Sequence, residues 1–136
     1  MSPTLGFEPA YINAGAVHFI DLTPHTDPSR NTLKGPHYVT IVMNNRFCSS
    51  TSYNTAICIP CTSMRPDLWN NRECRLKFGQ HHLLYPKDYP GLRNETVVKC
   101  DQIFTINKEY LSNFQFFLSE DDLKEIRAKT AFCLGF

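Results

Sequence analysis

The strongest constraint on the fold is a series of short apolar, β-branched runs that are separated by turn residues. Residues 16–22 form the first run, residues 37–43 form the clearest one, and residues 55–59 form a third that is closed by Pro60. Runs of this length, bounded by Gly, Pro, Asn and Ser, are typical of strands. They predict at least three strands in the first half of the chain.

The second half adds two weaker strand patterns and one helix. Residues 77–85 and 96–106 predict a fourth and a fifth strand. Ser119 is a good N-cap, the acidic residues that follow it suit the positive end of a helix, and Gly135 is a natural stop. Five short strands followed by one helix predict an α+β fold or a small barrel with a helix packed on it.

Length and charge favour a single domain over residues 1–136, with residues 1–14 as a loosely attached arm. Fourteen basic residues offset 13 acidic ones to a net charge of +1, which excludes a polybasic tail but not a local basic site. No apolar run reaches the ~18 residues of a membrane helix. The first residues do not resemble a secretory signal, so we expect a cytoplasmic protein without membrane contact.

The six cysteines raise the alternatives of a disulfide framework, a metal site and a core role. Without a secretory signal, reduced thiols are favoured. Cys58 and Cys61 form a C-x-x-C that is followed by His81-His82, which suggests zinc, but no second pair completes such a site. Cys58 lies in an apolar run, where a thiol behaves as a small core residue. We therefore expect no metal and no other cofactor, and a structural role for the histidines, one facing inward and one facing solvent.

Polar residues interrupt the strand patterns at two places, Pro60-Cys61-Thr62-Ser63 and Lys99-Cys100-Asp101-Gln102. A hydroxyl, a cation and a carboxylate together suit phosphodiester chemistry, in which protons move and a charged phosphate is stabilised. The structural alternative is that the hydroxyls cap a turn and that Lys99 and Asp101 form a surface ion pair on one strand face. Spacing alone favours the structural alternative.

Five segments in the same order resemble the MazF/PemK family of toxin–antitoxin ribonucleases. The segments are 15–24, 36–42, 57–63, 91–106 and 118–135. The most specific of them is 91–106, which reads G-L-R-N-E-T-V-V-K-C-D-Q-I-F-T-I. In such proteins the segment that holds this C-x-x-C is part of a strand, which disfavours zinc.

The resemblance implies a small SH3-like antiparallel β-barrel of the MazF/CcdB type with a C-terminal helix, working as a homodimer. It implies metal-independent cleavage of single-stranded RNA by attack of the 2′-hydroxyl, and a cognate antitoxin protein whose tail occupies the RNA groove. Thr62 matches the family's catalytic threonine. Asp101 and Lys99 match an acid/base group and a phosphate contact, and Ser63 and Gln102 would line the groove.

One departure from the family is serious. The family carries an Arg-Pro dipeptide before the second strand, and that Arg is its main catalytic cation, whereas this chain has Gly35-Pro36. Lys34, Arg30 and His37 are the candidates to supply the missing charge from a shifted position; we expect Lys34 in the catalytic role and Arg30 and His37 as RNA contacts. Lysine lacks the forked geometry of arginine, and loss of one transition-state donor typically lowers the rate about a hundred- to thousandfold. The departure keeps open an impaired barrel that binds RNA or protein, and a CcdB-like topoisomerase poison is a further alternative.

A second departure is the insertion-like stretch 64–80, which is rich in basic residues and holds the only tryptophan. In a functional interpretation Trp69 stacks on a base, and Arg65 and its neighbours follow the phosphates. In the structural alternative this stretch is a surface loop with Trp69 folded onto the barrel. Both interpretations remain open from the sequence.

Overall fold

The computed structural model describes residues 11–25 and 33–136. Its strands are β1 Ala16–Asp21, β2 Pro36–Ile41, β3 Thr55–Ser63, β4 Trp69–Asn70, β5 Arg75–Leu76, β6 His81–Leu84, β7 Thr96–Lys99, β8 Phe104–Asn107 and β9 Phe114–Phe117. The α-helices are the short α1, Asn45–Cys48, and α2, Glu120–Cys133. Short 3-10 turns cover Thr23–His25, Pro66–Leu68 and Lys108–Tyr110.

Among the described residues, one antiparallel sheet runs in the order β6-β7-β3-β2-β1-β9, and β8 pairs with the first half of β3. The long strand β3 organises it, because β3 pairs with β8, with β2 and then with β7 along its length. The result is a curled half-barrel with a C-terminal helix, which confirms the predicted α+β class and the MazF-type fold. The strands β4 and β5 form a separate hairpin.

The sheet separates two hydrophobic clusters. Alternate residues of β1, β2 and β3, such as Ile20, Val39 and Cys58, belong to the first cluster. The intervening residues, such as Cys61, belong to the second, which includes Ile126 of α2. Because successive side chains of a strand point to opposite faces, the two clusters occupy opposite sides of β3.

Helix α2 begins and ends at the residues that the sequence predicts. The Ser119 hydroxyl accepts a hydrogen bond from the Asp122 backbone N–H at 3.1 Å. Glu120, Asp121 and Asp122 form an acidic first turn, which the helix dipole favours. Gly135 has a φ of +92°, the left-handed conformation that commonly ends a helix. The predicted helix is therefore confirmed.

Two predicted strand boundaries were wrong. The strand β3 does not stop at Pro60 but continues to Ser63, because Pro60 lies opposite Val39 of β2 and the pairing with β7 begins at the next residue. The predicted strand 96–106 is two strands, because a turn follows β7 in which the Gln102 N–H donates to the Lys99 carbonyl at 2.9 Å. The edge strand β9 was not predicted.

The expected N-terminal arm, residues 1–14, includes residues that pack against the fold. Ile12 is only 1% exposed and belongs to the first cluster, and the Tyr11 ring stacks on Phe114 with centroids 4.5 Å apart. Residues 11–14 are thus anchored, while residues 1–10 of the expected arm lie outside the described residues. In the part of the chain that the structure describes, no helix is long and apolar enough to cross a bilayer.

Candidate active site

Polar side chains from neighbouring strands converge at one end of the sheet. Thr62 of β3 lies opposite Val97 of β7, and Lys99, two residues further along β7, lies opposite His81 of β6. Residues that face each other across paired strands project to the same side, as do residues two apart on one strand. Thr62, Lys99 and His81 therefore share one face, which we call the polar face.

The polar face is largely enclosed. Thr62 is 6% exposed and His81 is 5% exposed, while Lys99 is half-buried. Ser63 follows Thr62 at the end of β3, so it projects to the other side of the strand, where it is exposed. The two predicted hydroxyls of β3 thus do not lie together.

Gly35, which stands where the resemblance places an arginine, has a backbone conformation that favours glycine. Gly35 has a φ of +79°, and its N–H donates to the Thr23 hydroxyl at 3.0 Å. Its carbonyl accepts from the Leu22 N–H at 2.7 Å. A side chain would have space there, but the left-handed backbone disfavours every residue that has a Cβ. In this conformation Gly35 is therefore a poor place for an arginine side chain.

His37 of β2 links the segment that precedes this strand to β3. Its Nδ1 lies 3.0 Å from the Cys61 carbonyl, and its Nε2 lies 2.8 Å from the Lys34 carbonyl. Carbonyl oxygens only accept hydrogen bonds, so a neutral ring can donate to one of the two at a time. Lys34 itself is exposed at the edge of this loop. Arg30, the other cation predicted here, lies outside the described residues.

Asp101 and Gln102 belong to the turn after β7, which corrects the expectation that Lys99 and Asp101 share a strand face. The Asp101 carboxylate nevertheless reaches the polar face, because its Oδ1 lies 4.0 Å from His81 Nε2. The Asp101 side chain is 41% exposed, so it forms the solvent rim of this face. The Gln102 Oε1 is buried without a hydrogen-bond partner among the described residues.

His82 lies on the opposite face of β6, against α2. Its Nε2 is 2.8 Å from Asp122 Oδ1, and the Lys129 ammonium lies 3.2 Å from its Nδ1. The Tyr89 hydroxyl donates to the other Asp122 oxygen. Burial alone raises the pKa of the Asp122 carboxyl, but the hydrogen bonds from Tyr89 and His82 outweigh it and hold the pKa below its usual value.

The expectation that one of the two histidines faces solvent was wrong. Both are buried, His81 at 5% exposure and His82 at 9%. Helix α2 covers the His82 face, and the Phe78 ring lies edge-on to His81 at 5.4 Å on the other. The predicted structural role fits His82, because both of its ring nitrogens have polar partners. It does not describe His81, whose Nδ1 has no partner among the described residues.

The basic hairpin of the 64–80 stretch forms a two-stranded sheet of its own. Trp69 pairs with Leu76 in the hairpin and is half-buried. Arg65 Nε lies 3.1 Å from Asp67, and Arg75 Nε lies 2.7 Å from Glu73. Two of the cations proposed as phosphate contacts are thus already engaged in exposed ion pairs, which water screens strongly.

Cys58 and Cys61 lie in different hydrophobic clusters on opposite sides of β3, so they do not face a common metal ion. Burial raises the pKa of both thiols. Within residues 11–25 and 33–136, no group of three or more His, Cys, Asp or Glu side chains is placed to hold a metal.

Comparison with known proteins supports the fold described above. An endoribonuclease from Mycobacterial species, solved in complex with its cognate antitoxin, is 19% identical with a TM-score of 0.63, covering 91% of this chain and 95% of that chain. The MazE–MazF complex from Deinococcus radiodurans is 17% identical with a TM-score of 0.61, with the same coverage of 91% and 95%. At this identity the likeness establishes the fold. No curated protein sequence matches the chain.

The family itself is established by sequence. The model described as "PemK-like, MazF-like toxin of type II toxin-antitoxin system" matches residues 13–134. That range includes all of β1 to β9 and α2. The family resemblance of the five segments is confirmed, and the CcdB-like alternative is not favoured. The chain therefore belongs to the PemK-like, MazF-like family of type II toxins.

Proposed function

We propose that this chain is an endoribonuclease toxin that cleaves single-stranded RNA without a metal ion. The 2′-hydroxyl attacks the adjacent phosphorus, the bond from phosphorus to the 5′-oxygen breaks, and the products carry a cyclic phosphate and a 5′-hydroxyl. The observation that carries the proposal is the family match over residues 13–134, which spans the polar face. The endoribonuclease named among its structural neighbours supports the same reaction class.

The polar face offers the groups that this reaction requires. The Asp101 carboxylate at the rim takes the proton from the 2′-hydroxyl. The Thr62 hydroxyl donates a hydrogen bond to a phosphate oxygen, and the Lys99 ammonium neutralises the charge that builds up on the phosphorane. The 5′-oxygen that leaves takes up a proton, for which a lysine ammonium at the site is the source.

Lys34 is the proposed substitute for the absent arginine. It precedes Gly35, is exposed, and has its carbonyl within hydrogen-bond distance of His37, which itself contacts β3. An ammonium on a flexible stem holds a phosphate less rigidly than a guanidinium does. The enzyme is therefore expected to be slower than relatives that carry the Arg-Pro dipeptide.

The remaining contacts with RNA are also proposals. Residues near the polar face and the basic hairpin are expected to bind the RNA backbone and bases; they are Arg30, His37, Ser63, Arg65, Trp69 and Gln102. We also propose a homodimer and a cognate antitoxin protein as partners, because an antitoxin accompanies the toxin in both neighbouring structures reported above. The proposed place of action is the cytoplasm.

The test is cleavage of a long single-stranded RNA in EDTA, with the product ends mapped. Wild-type protein is expected to yield 5′-hydroxyl ends. Thr62→Val, which replaces the hydroxyl by a methyl group, is expected to form them about a hundredfold or more slowly. Thr105→Val on β8 is the matched control, since Thr105 is exposed outside the polar face. Intact RNA with folded, antitoxin-free wild-type protein would contradict the proposal.

That contrary result would favour a second function, a binding module that has lost cleavage. The specific observation in its favour is the left-handed backbone of Gly35, which disfavours an arginine at this position. Retention of the same RNA by the uncleaving protein in a filter-binding assay would support it.

A further inference from the structure

His81 has an unusual environment for a buried histidine. Its Nδ1 is buried without a hydrogen-bond partner among the described residues. Its other ring nitrogen, Nε2, faces Asp101 Oδ1 at 4.0 Å. A buried polar atom without a partner is costly and rare in native proteins, and such atoms often mark sites that act on a substrate. His81 lies on the polar face, directly opposite Lys99.

One aromatic contact holds the His81 ring, and one hydrogen bond holds its backbone. The Phe78 ring meets it edge-on with centroids 5.4 Å apart and an interplanar angle of 71°. The Lys129 ammonium donates to the His81 carbonyl at 3.0 Å, which fixes the backbone from the α2 side. At 5% exposure the ring does not reach bound RNA directly. Asp101, at 41% side-chain exposure, does.

The charges around His81 favour its neutral form. Burial lowers the pKa of the imidazole, and the ammonium groups of Lys99 and Lys129 act in the same direction. Asp101 acts in the opposite direction but does not reverse the shift. A neutral ring carries one N–H, and only Nε2 has an acceptor nearby. The proton therefore belongs on Nε2, facing the Asp101 carboxylate.

We propose that His81 is a positioning residue for RNA cleavage, which orients the Asp101 carboxylate through its Nε2–H. This inference rests on the proposed ribonuclease function and adds a residue to it. When RNA excludes water from the polar face, the Nε2–H donates to Oδ1, so that Oδ2 is aimed at the 2′-hydroxyl and accepts its proton. No proton leaves His81 in this step.

Protonation of His81 changes this arrangement. The charged ring forms an ion pair with Asp101 and makes the carboxylate a weaker base. The charged groups that act on the ring are Lys99 from β7, Asp101 from the turn and, from the α2 side of the strand, Lys129. Histidine is the residue type whose ordinary pKa lies closest to neutral pH. The rate is therefore expected to fall on acidification through the titration of His81.

The test compares two amides at position 81. His81→Gln places its side-chain N–H₂ close to the Nε2 position, and His81→Asn places it close to the Nδ1 position. We expect His81→Asn to lower kcat about ten- to a hundredfold with little change in KM, and His81→Gln to restore most of the rate. Both variants remove the titrating group, so the acidic side of their pH–rate profiles is expected to shift to lower pH.

A third variant protects the experiment against a folding defect. His81→Phe keeps a ring against Phe78 and leaves no unpaired polar atom, and it is expected to lower kcat as His81→Asn does. If wild type cleaves RNA and all three variants keep its kcat and pH profile, His81 is merely structural and the inference is overturned. If wild type itself does not cleave RNA, the ribonuclease proposal is wrong, and so is this inference. That result differs from the previous one, in which wild type is active and only the role of His81 is wrong.

Discussion

The adjacent histidines of β6 lie on opposite sides of one strand and have different environments. On the α2 side, each ring nitrogen of His82 has a partner, Asp122 at 2.8 Å and Lys129 at 3.2 Å. On the polar face, His81 has a buried nitrogen without a partner and a carboxylate 4.0 Å away. Fully bonded polar networks rigidify a fold, whereas the Asp101 carboxylate beside His81 is open to solvent and hence to a substrate. We therefore assign stability to the His82 face and chemistry to the His81 face.

The largest expected effect comes from the carboxylate at the rim of the polar face. Asp101→Asn keeps the shape of the side chain but removes the base, so we expect kcat for RNA cleavage to fall about a hundred- to ten-thousandfold. Its stability is expected to stay near that of wild type because Asp101 is exposed. The measurement is single-turnover cleavage beside Asp88→Asn, an exposed acid outside the polar face. Equal rates for both variants would contradict the role of Asp101.

The second effect tests the opposite face. Asp122→Asn weakens the hydrogen bonds from His82 and Tyr89 at once and leaves a buried ring nitrogen poorly paired. We expect the free energy of unfolding to fall by about 2 kcal/mol. Urea denaturation measures the loss, with the exposed neighbour Asp121→Asn as control, for which the helix dipole predicts a loss of about 0.5 kcal/mol. Equal losses would show that the network contributes nothing beyond the helix dipole.

Some of the elements that build these two faces can be predicted from the sequence, and others cannot. The strands β1 to β3 and helix α2 follow from local apolar patterns and caps, and Thr62 and Lys99 follow from the resemblance. The edge strand β9 and the division between β7 and β8 depend on pairing with distant strands, which local patterns do not encode. Local patterns do not encode the burial of His81 either, because that burial depends on how Phe78 and the strands pack together.

The third effect concerns the segment that leads into the polar face. Gly35→Ala is expected to lower the free energy of unfolding by about 1 kcal/mol, because its φ of +79° is strained for a residue with a Cβ. Gly35→Arg carries the same strain, so restoring the family's residue is not expected to raise the cleavage rate. Urea denaturation and RNA cleavage measure the two effects. A faster Gly35→Arg enzyme would show that the backbone accommodates arginine after all.

The smallest effect is a pH dependence of the His82 face. The pKa of Asp122 is lowered in the folded protein, so its stabilising contribution is present above the unfolded pKa and is lost as the pH falls through the folded pKa. We expect the stability difference between wild type and Asp122→Asn to be constant near neutral pH and to shrink below a pH of about 4. Urea midpoints across this range measure it. A difference that grows on acidification would contradict the sign of the shift.

The most direct test of the division between the two faces is the RNA cleavage rate of Asp122→Asn and Thr62→Val, measured side by side at a temperature where both are folded. Asp122→Asn is expected to cleave RNA at a rate within about threefold of wild type despite its lower stability, because Asp122 lies on the α2 side of the sheet. The cleavage rate of Thr62→Val is expected to fall about a hundredfold or more. A folded Asp122→Asn protein that is as inactive as Thr62→Val would contradict this division.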